Sequence, residues 1–192
     1  MKRLSLILAC SLLAACGSTP PVRYYTLGAL ASAGSAAVGS GPSLVVGPVG
    51  VPASIDRLLI VRQVDGARAD VADGHRWAAP LKTEIARRVA VELARRSGNG
   101  RIVAWPQSSI AEPEMSLPID VLRFDAEGFE KVGLEVVWTL RKGGKDLAGR
   151  RFVATEKVAE PTWEALALAH GRLVDALAAD IATALPAGPR TP

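Results

Sequence analysis

This chain is poor in the residues that do chemistry. Its 192 residues include two histidines, two cysteines, two tyrosines and three phenylalanines. Both cysteines, Cys10 and Cys16, fall near the N-terminus, so no disulfide framework can staple the rest and stability must come from an apolar core. The imidazoles, His75 and His170, belong to no His-x-x-x-His or His-Glu-x-x-His pair, which removes the common metal-site spacings. No Gly-x-Ser-x-Gly elbow occurs, and "GGKD" lacks the spacing of a phosphate-binding loop. Charge of one sign is scarce too. Against 23 Lys and Arg stand 19 Asp and Glu, a poor basis for binding nucleic acid. With 49% hydrophobic and 22% charged residues, the composition is globular.

Long apolar runs are also missing. Residues 4–15 form an almost unbroken one, but a membrane span needs roughly 20 apolar residues. With Lys2 and Arg3 ahead of it and small residues at its end, the run reads as an export signal. Leu13-Ala14-Ala15-Cys16 resembles the bacterial lipobox, in which the peptide is cut before the cysteine and its thiol is diacylated. Cys10 is weaker, since only residues 4–9 would remain as its apolar core. The bland alternative is an ordinary signal whose cut happens to fall near Cys16. The lipid reading implies a signal over 1–15, a lipidated tether over 16–21, one domain over 22–186 and a disordered tail over 187–192. Each buried acyl CH₂ contributes about 0.8 kcal/mol and stable anchoring takes more than one chain. A triacylated Cys16, palmitate among its chains, would hold the protein at a membrane. Gly17, with no Asp there, implies by resemblance to sorted lipoproteins the periplasmic face of the outer membrane.

The body alternates strand and helix signals. "VRYYTL" and "SLVVGPVGVP", the latter over 43–52 and ended by its prolines, read as strands separated by a flexible Gly/Ala/Ser-rich loop over 28–42. "RLLIVRQV" turns at Asp65-Gly66 into "ARADVA". From Trp77 onward Leu81, Ile85, Val89 and Leu93 recur every fourth residue, with Pro80 expected in the first turn and "SGNG" as the stop. Glu84–Arg88 and Glu92–Arg96 are expected pairs on the solvated face, along with Arg87 and Arg95. After a short strand at "RIVAWP" a meander follows, in which Val132, Leu134, Val136, Trp138 and Leu140 alternate onto one face. Matching apolar with apolar sets Val136 against Phe152 and Leu134 against Ala154. That register predicts an odd-length loop at Gly143-Gly144 with a left-handed glycine. Thr162 is the expected N-cap of a last helix buried through Leu166, His170, Leu173, Val174, Leu177, Ile181 and Leu185 and ended by Pro186. The fold class is α+β: a single domain, with a mainly antiparallel sheet of about seven strands and two amphipathic helices packed on one face.

No catalytic set, metal site or cofactor is expected. Asp65, Asp70 and Asp73 crowd one stretch, but the calcium-loop order fails and no closing Glu follows, so this is a solvated turn. His170 reads as a structural histidine on the apolar stripe, and His75, beside Gly74, as a loop residue. Asp56, Arg57, Arg62, Arg76 and Trp77 sit at junctions where charge and a large aromatic meet, the composition of binding hot spots. Two structural readings compete there: Trp77 stapling the first helix to the core, and Asp56 bridging internally to Arg57 or Arg76.

"VVGPVGVPASIDRLLIVR", "RWAAPL", "VLRF" and "LEVVWTL", preceded by "YYTL" and Cys16, resemble in their order the ABC-type transport auxiliary lipoproteins, the PqiC-like family. Ala79 stands where an acid is usual, and Leu58-Leu59 where the family often has Pro and a polar residue. The resemblance implies a non-enzymatic docking subunit at the outer-membrane end of an MCE/ABC-type intermembrane lipid-transport system that maintains envelope integrity. Its partner would be a periplasmic MCE-domain protein, and a homo-oligomeric ring is the implied assembly. A second reading has the lipoprotein bind a lipid or glycan directly, in an apolar pocket that small alanines leave between sheet and helices. A third, a periplasmic enzyme, needs polar groups converging on His75 or His170.

Overall fold

The computed structural model describes residues 21–29 and 41–186. The expected signal, Cys16, nearly all of the tether, residues 30–40 of the expected loop and the tail lie outside the described residues.

Strands β1 (Arg23–Tyr25), β2 (Leu44–Gly50), β3 (Leu59–Asp65) and β4 (Arg68–Trp77) precede helix α1 (Leu81–Ser97). Then come β5 (Ile102–Ala104), β6 (Met115–Glu127), β7 (Lys131–Lys142) and β8 (Lys145–Lys157), and the helix α2 (Trp163–Ala182) closes the domain. Its class is α+β as read, but the eight-stranded sheet is mixed. Only β3–β4, β6–β7 and β7–β8 are antiparallel, whereas β1–β4, β2–β5, β2–β6 and β3–β6 are parallel. The antiparallel pairs are hairpin neighbours; the parallel ones join strands separated by long connections, as parallel pairing requires. β6 is the hinge of the arrangement. One edge takes β2 along its first half and β3 at its end, while the other edge takes β7. A bulge at Leu122 accommodates the change of neighbour.

The inner face is the one read from alternation: Val132, Leu134, Val136, Trp138 and Leu140 are all buried. Leu81, Ile85, Val89 and Leu93 of α1 and the Leu166-to-Ile181 stripe of α2 cover it in a single core. Thr162 caps α2, its hydroxyl oxygen accepting from the Ala165 amide at 3.1 Å, and left-handed Gly98 ends α1. Two local readings shift. Trp77 ends β4 instead of opening α1, and Pro80 is the N-cap. The β7–β8 pairing sets Leu134 against Ala154 and Val136 against Phe152 as expected, yet the loop has two residues. Gly143 and Gly144 both take positive φ, 55° and 77°, the signature of a tight turn whose twist suits a hairpin. The odd residue appears instead as a bulge at Leu147.

The helices are joined by a clasp. Arg88 donates from Nε and Nη2 to the two oxygens of Asp175, each at 2.7 Å, and from Nη1 to the Gly28 carbonyl at 3.2 Å. Glu84, the expected partner, is taken by Arg87, whereas Glu92–Arg96 forms as read, at 2.7 Å. Beside the clasp, the Leu27 carbonyl presses onto Gly171, where any Cβ would collide with it. The segment after β1 is therefore strapped to α2. Alanine in a helix interior normally gains about 1 kcal/mol over glycine. Gly171→Ala should instead destabilise by about 3 kcal/mol through overpacking, and urea denaturation with amide exchange at β1 would show it. A neutral or stabilising result would mean that the strap yields freely.

Candidate functional site

Among the described residues no group of three or more His, Cys, Asp or Glu is placed to hold a metal, and no helix is long and apolar enough to cross a membrane. Between sheet and helices the space is filled. The void at Trp77, Phe124 and His170 is about 10 Å³, room for about one water. Buried alanines of both helices, among them Ala86, Ala90, Ala167 and Ala178, let the layers close instead of leaving an apolar pocket.

The histidines take different places. His170 is buried with its ring edge-on to Trp77 and Phe124, at centroid distances of 5.3 and 4.7 Å. Its Nδ1 lies 2.9 Å from the Leu166 carbonyl, so in the neutral ring Nδ1 carries the proton. Burial pulls its pKa down to about 4. Among the described residues its ring has no hydrogen-bond partner besides that carbonyl. His75 is not in a loop: β4 continues through Gly74 so that His75 pairs in register with Arg23 of β1. Its Nδ1 is hydrogen-bonded to the Tyr25 hydroxyl at 2.8 Å, and its ring stacks on Trp163 at 4.4 Å. Burial, and secondarily the Arg23 charge, lower its pKa.

These contacts belong to one stack at the end of the molecule where α2 begins. Arg62 lies over Phe129 at 4.3 Å and Trp163 at 4.9 Å, and pairs with Asp70 at 2.8 Å. Phe129 meets Trp163 edge to face at 5.1 Å. Tyr25, His75, Trp163, Phe129 and Arg62 thereby tie β1, β4, α2, the β6–β7 turn and β3 together. Beyond this stack opens a groove of about 1010 Å³, walled by β1 on one side and by the start of α2 on the other. Tyr24, 62% exposed, and Leu168, 42% exposed, lie at it.

Of the residues singled out in sequence, Arg62 joins this stack. Arg76 sits on β4 opposite Tyr24 in register, its Nε without a hydrogen-bond partner. Asp56 and exposed Arg57 lie in the β2–β3 connection, and Asp56 pairs with Lys82 of α1 at 3.4 Å, not with Arg57 or Arg76. Trp77 is 3% exposed and packs in the core, which fits the stapling role. Sequence reasoning passed over Tyr24, Trp163 and Leu168. The N-cap at Thr162 was a usable signal, since it fixes Trp163 as the first residue of α2.

A model of the family described as ABC-type transport auxiliary lipoprotein component matches residues 25–182. Two solved structures share the fold. One, of an uncharacterized protein, is 19% identical, covers 85% of this chain and 97% of its own, and gives a TM-score of 0.69. Protein XCC0632 from Xanthomonas campestris is 17% identical over 84% of this chain and 93% of its own, with a TM-score of 0.65. No curated protein matches.

The histidines generate a pH dependence. Both are depressed in the fold, so below pH 6.5 the unfolded chain binds more protons and stability falls with pH. With His170 at about 4, its share of the loss by pH 5 is about 2 kcal/mol. Urea unfolding at pH 7 and pH 5 should show the drop, and His170→Phe should lessen it by that amount. An unchanged slope in the variant would refute the assignment.

Proposed function

The chain belongs to the ABC-type transport auxiliary lipoprotein family, and from that premise we propose that it is a non-enzymatic docking subunit of an intermembrane lipid-transport system. In this reading acylated Cys16 holds it at the periplasmic face of the outer membrane, where it receives a periplasmic MCE-domain protein, with several copies forming a ring. The observation that carries the reading is a family match over nearly the whole described body, in a domain packed between sheet and helices among the described residues and carrying an external groove at β1 and the start of α2. Residues 17–21, between Cys16 and Val22, permit a reach of about 20 Å even when fully extended. Asp56 and exposed Arg57 are the proposed contributors of charge around the docking site, with Arg62 and Arg76 serving it through the elements they hold, Arg62 over Trp163 and Arg76 on β4 opposite Tyr24. Direct binding of a lipid between sheet and helices is disfavoured by the filled core.

The test is a cross-linked pull-down from native envelope with the full-length chain as bait, compared with Cys16→Ala and read by mass spectrometry. An MCE-domain protein should return with the lipidated bait and fall at least tenfold with the variant. Recovery of lipid or unrelated envelope proteins alone would sink the docking role.

A further inference from the structure

We propose that the outer edge of β1, unpaired among the described residues, with the groove it shares with the start of α2, is a strand-addition site for an extended segment of the partner protein. The inference rests on the docking reading and gives it a location.

The backbone makes the first argument. β1 is the terminal strand on its side of the sheet. The Ala78 amide donates to the Tyr25 carbonyl at 2.7 Å, and the parallel register sets Arg23, Tyr24 and Tyr25 against His75, Arg76 and Trp77. Within a strand the N–H and C=O of one residue point to the same edge, and successive residues alternate. Arg23 and Tyr25 therefore face β4, and Tyr24 presents its amide and carbonyl outward, to the groove. A donor and an acceptor standing side by side on an edge are a template for another strand.

The groove makes the second. Trp163, Ala167 and Leu168 give it an apolar floor, Glu160 and Glu164 line one wall and Arg23 the other. Neither glutamate side chain is in an ion pair among the described residues. A segment carrying an apolar side chain for the floor and a basic one beside it complements these groups. The template is also held in advance, by Tyr25 on His75, Leu27 on Gly171 and the Gly28 carbonyl on Arg88, so little ordering is left to the moment of binding.

Among the described residues β5 and β8 are the other terminal strands, and β8, the longest of the three, is a poorer template. It carries a bulge at Leu147 and the charges of Lys145, Asp146, Arg150, Arg151 and Lys157, the devices by which edges resist pairing.

A photo-cross-linking residue in place of Leu168 in the full-length lipidated chain, in native envelope, tests the site, with the same residue at Val153 on the outer sheet face for comparison. Adducts at Leu168 should map to an extended segment of the MCE-domain protein recovered in the pull-down. Tyr24→Pro, which deletes the outward amide but none of the bonds to β4, should reduce that adduct at least tenfold, and Tyr24→Thr should leave it. Leu168→Glu, an exposed change that spares the strand, should weaken recovery of the partner in the same way. If the partner returns but cross-links only at Val153, or if Leu168 captures only lipid or residues 30–40 of this chain, the groove is not the site although docking stands. If no position and no pull-down yields the partner, the docking reading fails with it.

Discussion

The arrangement depends on one guanidinium. Arg88 spans α1 and α2 through both oxygens of Asp175 and reaches back to the carbonyl of Gly28. The pair is bidentate, with the Arg88 side chain 11% exposed and that of Asp175 35% exposed, so the guanidinium is shielded while the carboxylate keeps some water. Such geometry is stronger than that of a surface ion pair, whose net value is about 0–1 kcal/mol. It also leaves a cost behind if Asp175 is removed, because Arg88 is then a largely buried charge without compensation. What the clasp fixes is the approach of Leu27 to Gly171, and hence the distance between β1 and α2. The groove is the gap these contacts hold open.

A second set of contacts fixes the same gap from the opposite end. Arg62 is sandwiched between its carboxylate partner Asp70 and the faces of Phe129 and Trp163. A planar guanidinium can lie over ring faces while donating to a carboxylate in a way a lysine ammonium does not, although the buried Nε of Arg62 has no hydrogen-bond partner among the described residues. It lies over the indole of Trp163, on which His75 also stacks, and Trp163 is part of the groove. Arg62 thus acts on the site through the ring it positions, without itself lining the groove.

What was readable in sequence was local. Strict alternation in β7, the four-residue recurrence in α1 and the Thr162 cap each depend on neighbours a few positions away, and each holds. The hairpin shows where legibility ends. Apolar matching gave the pairing of Val136 with Phe152, but not that a bulge at Leu147, instead of a longer loop, absorbs the odd residue. The parallel pairs were beyond reach, because no local pattern in "RYY" announces that its partner is the strand ending at Trp77. Arg88 failed as a local prediction for the same reason. Its helical neighbour Glu84 was the obvious partner, Arg87 had an equal claim, and the decisive carboxylate belongs to another helix. For the site, Arg62 and Arg76 were visible as charge at junctions. Tyr24 was not, since its contribution is a backbone edge, which any residue type supplies.

The position of the anchor bears on what could occupy such an edge. In the proposed anchoring, a Cys16 lipid and an extended tether would keep Val22 within about 20 Å of the bilayer surface. A folded domain is about 30 Å across and would not enter that space between β1 and the headgroups. A single strand adds about 4.8 Å in the plane of the sheet and occupies about 10 Å across it, and would. The proposed tether and an edge unpaired among the described residues would therefore suit the same kind of guest: a terminal or linking segment of a larger protein whose folded parts remain farther from the membrane. A protein that must hold the end of a long assembly close to a membrane gains from such a contact, since the segment can be seated without bringing the bulk of its owner against the lipid.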